Sequence, residues 1–265
     1  MNLKGLILFD IDGVIRDVSA SYRLAIQETV AKFCNWKPSF TNIDELKAEG
    51  SWNNDWDVSM ELIKRHIHLK KLSIKPPKKR ILEETFNDFY FGGDPSGDPS
   101  NWHGFINNES LLVTKKLFTD LTKNNFTWGF VSGAERSSAN FILEKRLGLQ
   151  HPPLIAMGEA PEKPNPIGLI RLSEQIFSNP LGSEQPIIVY LGDTVADVLT
   201  IARARAKVPS QRFLSFALAP PHLHTKETIN QRLNYENTLR ISGADCILKS
   251  TKDIVNVLEQ YNFES

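Results

Sequence analysis

The stretch Leu6-Ile7-Leu8-Phe9-Asp10-Ile11-Asp12-Gly13-Val14 decides the fold. Four apolar residues run without alternation into two acids and a glycine. An unbroken apolar run of this length predicts a strand buried on both faces, the environment of a parallel sheet. Similar runs recur farther along. They are Phe126 to Val131 ending at Ser132-Gly133, Leu154 to Met157, Ile187 to Leu191 ending at Gly192-Asp193, and Phe213 to Leu218. Asp245 to Leu248 is a shorter candidate. Helical periodicity fills the intervals, most clearly over Leu111 to Leu121, Ala134 to Leu147, Ile167 to Phe177 and Val195 to Ala206. Strand and helix in alternation predict an α/β fold, a Rossmann-like parallel sheet covered by helices on both faces.

Residues 16–104 break that rhythm. They hold helical patterns (Tyr22 to Phe33, Asp57 to Lys71, Lys79 to Tyr90) and no buried strand. Gly93 to Ser100 repeats Gly-Asp-Pro-Ser twice, which cannot continue a helix and reads as a surface loop rather than a calcium site. The expectation is an α/β core made of residues 1–15 and 105–265, with a mostly helical unit, 16–104, inserted after the first strand.

Composition narrows the class. Across 265 residues, 31 Lys and Arg balance 31 Asp and Glu, so no global charge favours nucleic acid or a membrane surface. Neither partner is expected. Cys34 and Cys246 have no metal-type spacing. The run Leu6 to Phe9 is too short for a signal segment or a membrane span, and no other uncharged apolar stretch approaches spanning length. The expected setting is cytoplasmic. Oligomeric state is left open by the sequence.

Four short segments are expected at the carboxyl ends of strands, the edge where open parallel sheets bind ligands. They are Asp10-Ile11-Asp12-Gly13, Ser132-Gly133, Lys163-Pro164, and Gly192-Asp193-Thr194-Val195-Ala196-Asp197. Carboxylates converging on one spot repel one another unless a cation sits among them. Oxygen-only ligands beside a phosphate suit Mg²⁺. The Ser132 hydroxyl and the Gly133 amide can hold phosphate oxygens, with the Gly133 amide expected to open the helix that follows. Lys163 can offset charge on a phosphoryl group in transfer. One carboxylate can attack phosphorus, and a second, two residues on, can serve as acid and then base. Taken singly, each residue has a plainer reading. Asp12-Gly13 suits a turn, Ser132 an N-cap, Lys163 a solvated surface, and Asp193 and Asp197 a helix start.

The four segments in this order resemble the haloacid dehalogenase superfamily of phosphotransferases, over roughly residues 3–210. Its first motif, Asp-x-Asp-Gly-(Val/Thr), is matched at 10–14, and its second, a strand ending in Ser or Thr, at Ser132. The third, a Lys often before Pro, is matched at Lys163, and the fourth, Gly-Asp-x-x-x-Asp, at 192–197. The resemblance implies roles. Asp10 is the nucleophile and a metal ligand. Asp12 is the acid/base and binds metal through its carbonyl. Ser132 and Lys163 take the phosphoryl group. Asp193 is the main remaining metal ligand, and Asp197 supports it or binds through water. It also implies that the insertion is the helical cap of the phosphoglycolate phosphatase-like branch. Asp12 disfavours carbon–halogen and carbon–phosphorus cleavage. The expected activity is hydrolysis of a small phosphorylated metabolite with Mg²⁺. A sugar phosphomutase shares these motifs and stays open, and a non-catalytic binding protein ranks below both because all four motifs are intact.

In the insertion, Trp52 and Asn54 (in Trp52-Asn53-Asn54-Asp55-Trp56) suit a pocket for a polar metabolite, and equally a cap-core turn. Arg23, beside Tyr22, suits a second anionic group of a substrate, or a solvated helix face. His222 and His224, in Pro220-Pro221-His222-Leu223-His224, read as a surface loop, and Lys75 to Arg80 as a basic turn. Residues 219–243 match nothing in the family core.

Overall fold

The structure is a computed structural model that describes residues 3–49, 52 and 54–261. Strand β1 covers Gly5–Phe9 with every residue buried, as its unbroken apolar run demands. The two-residue strand β2, Arg16–Asp17, follows. Four helices come next: α1 Ser21–Cys34, α2 Phe40–Ala48, α3 Asp55–Lys70 and α4 Lys79–Tyr90. The chain then runs through β3 Ser110–Leu111, α5 Lys115–Lys123, β4 Phe126–Val131 and α6 Arg136–Asn140. It continues through β5 Leu154–Ile155, α7 Ile167–Phe177, β6 Ile187–Gly192, α8 Val195–Lys207 and β7 Phe213–Leu218. Helix α9 Ile229–Ile241, β8 Cys246–Leu248 and α10 Ile254–Gln260 complete it.

Six of the strands form one sheet in the order β5-β4-β1-β6-β7-β8, and every neighbouring pair is parallel. This is the α/β fold that the apolar runs predict. β1 is central, and Phe9 lies level with Phe130 on one side and Leu191 on the other. Parallel strands in this register end together, so the residues after Phe9, Val131 and Gly192 share one edge. Side chains of β1 alternate between two cores. Ile7 and Phe9 pack with Phe118, Leu121 and Phe130 on one face. Leu6 and Leu8 pack with Leu169, Tyr190 and Ile201 on the other. The Phe9 ring sits 5.7 Å from Phe118 and 6.0 Å from Phe130. At about 1.5–3 kcal/mol for each large apolar side chain buried, β1 alone is a strong anchor.

The chain divides into two compact units, one of residues 1–17 and 110–265 and one of residues 18–109. The sequence reading places the crossings at 15/16 and 104/105. They fall later because Arg16–Asp17 and Ser110–Leu111 pair with each other as an antiparallel ribbon of the α/β unit. Within the helical unit, Tyr22 stacks on Tyr90 at 4.5 Å, and Ser21 and Tyr90 both donate to the buried Glu109 carboxylate, at 2.6 and 3.1 Å. Helix α2 escapes the periodicity reading, but a local signal marks it. Ser39 and Asn42 close a reciprocal capping box at its start. Ala134 to Leu147 reads as one helix. The structure instead starts α6 at Arg136 and continues it from Phe141 to Arg146 as a π-helix. Among the described residues, no helix is long and apolar enough to cross a membrane.

Candidate active site

Asp10 leaves β1 with its amide donating to the Leu191 carbonyl at 2.9 Å, a continuation of the sheet ladder. The chain then closes a tight turn. Arg16 N donates to Ile11 O at 3.1 Å, and Gly13 N donates to Arg16 O at 2.9 Å. Gly13 has φ +74°, and a Cβ there would lie 2.0 Å from Asp193 Oδ2. Only glycine meets both demands at once. At Gly192 a Cβ would lie 2.3 Å from Asp197 Cβ, so that strand end also admits the acid only because it has no side chain.

Lys163 joins the acids. Its Nζ lies 3.1 Å from Asp10 Oδ2, 2.6 Å from Asp197 Oδ1 and 3.1 Å from the Tyr190 hydroxyl. The Tyr190 hydroxyl itself reaches Val131 O at 2.9 Å and Asp197 Oδ1 at 3.0 Å. Asp197 Oδ2 accepts from the amide and hydroxyl of Thr194, at 2.9 and 2.6 Å, closing the capping box that starts α8. Both Asp197 oxygens are therefore engaged, and in this structure the residue anchors Lys163. Asp193 is buried at the strand end. Its backbone carbonyl accepts from the Tyr235 hydroxyl of α9 at 2.9 Å. Asp12 Oδ1 accepts from Arg16 Nε at 2.6 Å.

Ser132 is buried, extends the ladder by donating to Ile155 O at 3.0 Å, and takes the Ala134 amide on its Oγ at 3.2 Å. Gly133 does not open a helix. The backbone from 132 to 135 is a loop tied by Ser132 Oγ and by Met157 N donating to Ala134 O, and α6 starts only at Arg136. The helix-dipole contribution expected at Gly133 is accordingly displaced down the chain. The Gly133 backbone is open, with nothing described within 4 Å of where a Cβ would stand.

The insertion residues make contacts within the helical unit. Arg23 pairs with Asp44 at 2.6 Å and lies over the Phe40 ring. The Trp52 indole donates to Glu49 at 3.0 Å. Asn54 caps α3, its Oδ1 accepting from Trp56 N and Asp57 N at 2.9 and 3.3 Å. Each side chain thus has a local structural task. Asn53 of that segment lies outside the described residues. His224 Nε2 is 2.9 Å from Ala219 O, and neither it nor His222 joins a metal-competent cluster among the described residues.

Burial pushes the Asp10 carboxyl up to about 6; Lys163 pulls it down, while Asp197 and Asp12 push it further up. Burial also raises Asp193 well above the usual carboxylate range, with Asp197 and Asp10 adding to the rise. Burial works against ionised Asp197, but the Lys163 charge and hydrogen bond outweigh it and hold this carboxyl low. Burial likewise opposes a charged Lys163, and Asp10 and Asp197 overcome it. Lys163 and Asp197 therefore form a neutral couple. Asp10 and Asp193 resist ionising together, and once both ionise they carry more negative charge than Lys163 offsets.

That imbalance tests the fit of a cation. Asp10, Asp193 and Asp197 each offer a carboxylate oxygen within 4.8 Å of the others. Asp10 Oδ1 is buried with no hydrogen-bond partner among the described residues, an expensive arrangement unless something positive meets it. An all-oxygen donor set of this kind fits Mg²⁺. A pH dependence follows. With its folded value raised, Asp10 keeps a proton that the unfolded chain loses, so the metal-free stability it contributes falls as pH rises from about 4 through about 6. Asp193 extends the fall upward in pH. Metal binding needs both groups ionised. Millimolar Mg²⁺ is therefore expected to raise the melting temperature by several degrees at pH 8 and hardly at pH 5. Equal shifts at both pH values would contradict this account.

This sheet, with acids, a hydroxyl and a lysine collected on its carboxyl edge, is the architecture of a phosphoryl-handling hydrolase fold. The chain belongs to the haloacid dehalogenase-like hydrolases, whose family pattern matches residues 5–205. A curated relative, the imidazoleglycerol-phosphate dehydratase of Phytophthora nicotianae, is 27% identical over 227 residues; the match takes in 85% of this chain and 45% of that protein, so the chain spans less than half of its length. Among solved structures, a phosphatase of Thermococcus thioreducens is 22% identical with a TM-score of 0.59, over 89% of this chain and 99% of that one. A predicted phosphoglycolate phosphatase of Haemophilus somnus is 15% identical with a TM-score of 0.64, over 97% and 98%. At these identities the two structures show the shared fold.

Tyr190, Arg16 and Tyr235 stand at the site and escape a sequence reading. Tyr190 lies inside an apolar run and reads as core, though a tyrosine in an otherwise aliphatic buried strand signals a hydroxyl in need of a partner. Tyr235 comes from the segment that matches no family motif.

Proposed function

We propose that the chain is a Mg²⁺-dependent phosphatase that hydrolyses a small phosphate monoester through an aspartyl-phosphate on Asp10. The observation that carries this reading is the state of Asp10. One oxygen is held 3.1 Å from Lys163 Nζ, the other is buried with no hydrogen-bond partner among the described residues, and a carboxylate oxygen of Asp10 lies within 4.8 Å of one from Asp193. A carboxylate held this way is oriented and underneutralised, which suits a nucleophile waiting for a cation and a phosphoryl group.

In this reading an oxygen of Asp10 attacks phosphorus as the bond to the leaving oxygen breaks, and Asp12 gives that oxygen its proton. Asp12 then takes a proton from water, which attacks the same phosphorus and frees inorganic phosphate and the Asp10 carboxylate. Lys163 opposes the charge on the phosphoryl oxygens, and the Ser132 hydroxyl and open Gly133 backbone receive them. Asp10, the Asp12 carbonyl and Asp193 would hold Mg²⁺, which supplies positive charge to the phosphate when bound. Asp197 serves by holding Lys163. The helical unit is assigned the choice of substrate, with Arg23, Trp52 and Asn54 as the residues to vary first.

The test is a phosphate-release screen over small phosphomonoesters with Mg²⁺. Imidazoleglycerol phosphate belongs in the panel because the curated relative is named for it. Release of inorganic phosphate that requires Mg²⁺ and Asp10 is expected. Return of phosphate to the substrate through a bisphosphate would identify a mutase. No release from any ester, by protein that Mg²⁺ stabilises, would sink the enzymatic reading.

A further inference from the structure

We propose that Arg16 is a positioning residue that fixes the Asp12 carboxylate for its proton transfers; this rests on the acid/base reading of Asp12 above. The chemistry assigned to the first motif needs acids at 10 and 12 and glycine at 13. It asks nothing of position 16, yet the structure places a fully buried arginine there. Removing a guanidinium from water costs several kcal/mol, so a buried one is kept only with strong, well-directed partners. One of these is Asp12, at 2.6 Å from Arg16 Nε, in a charge-assisted bond.

The arginine is also held by its backbone. Its amide donates to Ile11 O and its carbonyl accepts from Gly13 N, so the turn from 11 to 16 returns Arg16 to the acid it clamps. The turn is pinned from outside by Thr251 Oγ1 donating to Val14 O at 2.7 Å and by Leu112 N donating to Ile15 O at 2.9 Å. Arg16 is thus a fixed post. An aspartate on a turn can otherwise rotate about its terminal torsion, which is soft. With Oδ1 bonded to the post, the rotation is stopped. Asp12 stays partly exposed beside the arginine, open on the side that faces solvent.

A group that moves protons must be placed within a fraction of an ångström, and a misplacement of about 1 Å costs roughly 100-fold. The loss should follow the need for a proton. Alkyl phosphates leave as strongly basic alkoxides and need Asp12 as acid. p-Nitrophenyl phosphate releases the weakly basic p-nitrophenolate, which needs no proton to depart. In kcat/KM, which reports steps through departure of the leaving group, Arg16→Gln is expected to lose about 10- to 100-fold more on an alkyl phosphate than on p-nitrophenyl phosphate. Arg16→Lys, which keeps charge and approximate volume and so protects the fold, is expected to show a smaller loss with the same preference. In an Asp12→Ala background, Arg16→Lys should cost nothing further on the alkyl ester. Equal losses on both esters, or faster turnover on the alkyl ester, would overturn the proposal. If Asp12→Ala shows the leaving-group preference and neither Arg16 variant does, positioning fails and the phosphatase reading stands. If Asp12→Ala shows no preference, the acid/base reading fails and this inference falls with it.

Discussion

Asp10→Asn is expected to abolish phosphate release, by about 10⁴-fold or more, while leaving the protein folded and, without divalent cations, more stable than the native chain. The loss of activity follows from removing the attacking oxygen. The gain in stability follows from burial. A rise from 3.8 to about 6 at roughly 1.4 kcal/mol per pH unit makes ionised Asp10 cost on the order of 3 kcal/mol at neutral pH. Asparagine has nearly the same shape and no charge, and Lys163 keeps Asp197 at 2.6 Å. The sign can be checked with pH. Below about pH 4 the native carboxyl is itself protonated, so native and variant should melt together. Above about pH 6 the native carboxyl is ionised, and the variant should melt several degrees higher. Adding Mg²⁺ should erase or reverse that order, because the variant has lost a ligand. Melting curves at pH 4, 6 and 8, with and without Mg²⁺, read all of this. A variant less stable than the native chain at pH 8 without metal would mean that Asp10 is not the strained acid described here.

Lys163→Met is expected to cost activity about 10²- to 10⁴-fold and, unlike a surface lysine, to destabilise the fold by several kcal/mol. Lys163 is the cation at hydrogen-bond distance from both Asp10 and Asp197. Methionine fills the stem's volume and leaves Asp197 as a buried charge without its counter-ion. Breaking a buried pair in this way costs about 3–5 kcal/mol, whereas an exposed pair is worth less than about 1. The native couple holds Asp197 low, so its contribution is present at neutral pH and lost as the medium turns acid. In the variant, burial alone pushes Asp197 and Asp10 up. The stability deficit should be largest at pH 8 and shrink toward pH 5. Urea unfolding at the two pH values decides it. A deficit under about 1 kcal/mol at pH 8 would show that Lys163 is a solvated side chain, as its sequence context alone would suggest.

Much of the fold is legible in the chain because burial on both faces leaves a local mark. Five of the six sheet strands lie in largely apolar runs, and the central one is unbroken and followed at once by its acids. What local patterns miss is structure set by other means. Helix α2 depends on a Ser39–Asn42 cap more than on an apolar stripe. Helix α9 leaves Ile229, Leu233 and Ile241 exposed and seats only Tyr235, Glu236 and Leu239 inward, so it has no clean amphipathic period. The late start of α6 at Arg136 follows from the loop that Ser132 and Met157 tie down before the helix can begin.

The chain by itself determined which chemical groups reach the carboxyl edge. Strand ends are written locally, in apolar runs stopped by Asp10, Ser132 and Asp193, and parallel pairing then brings those ends together. Only the tertiary structure decided what each group is free to do. Asp197 reads in the sequence as a support for the metal or a ligand through water, and in the structure its oxygens are taken by Lys163, Tyr190 and Thr194. Asp10 reads as nucleophile and metal ligand, and it keeps a buried oxygen with no hydrogen-bond partner among the described residues. Arg16 belongs to none of the motifs, yet it is fully buried and its Nε donates to Asp12. The physical reason is that hydrogen-bond satisfaction and burial belong to contacts between distant segments, and these exist only after the sheet has assembled.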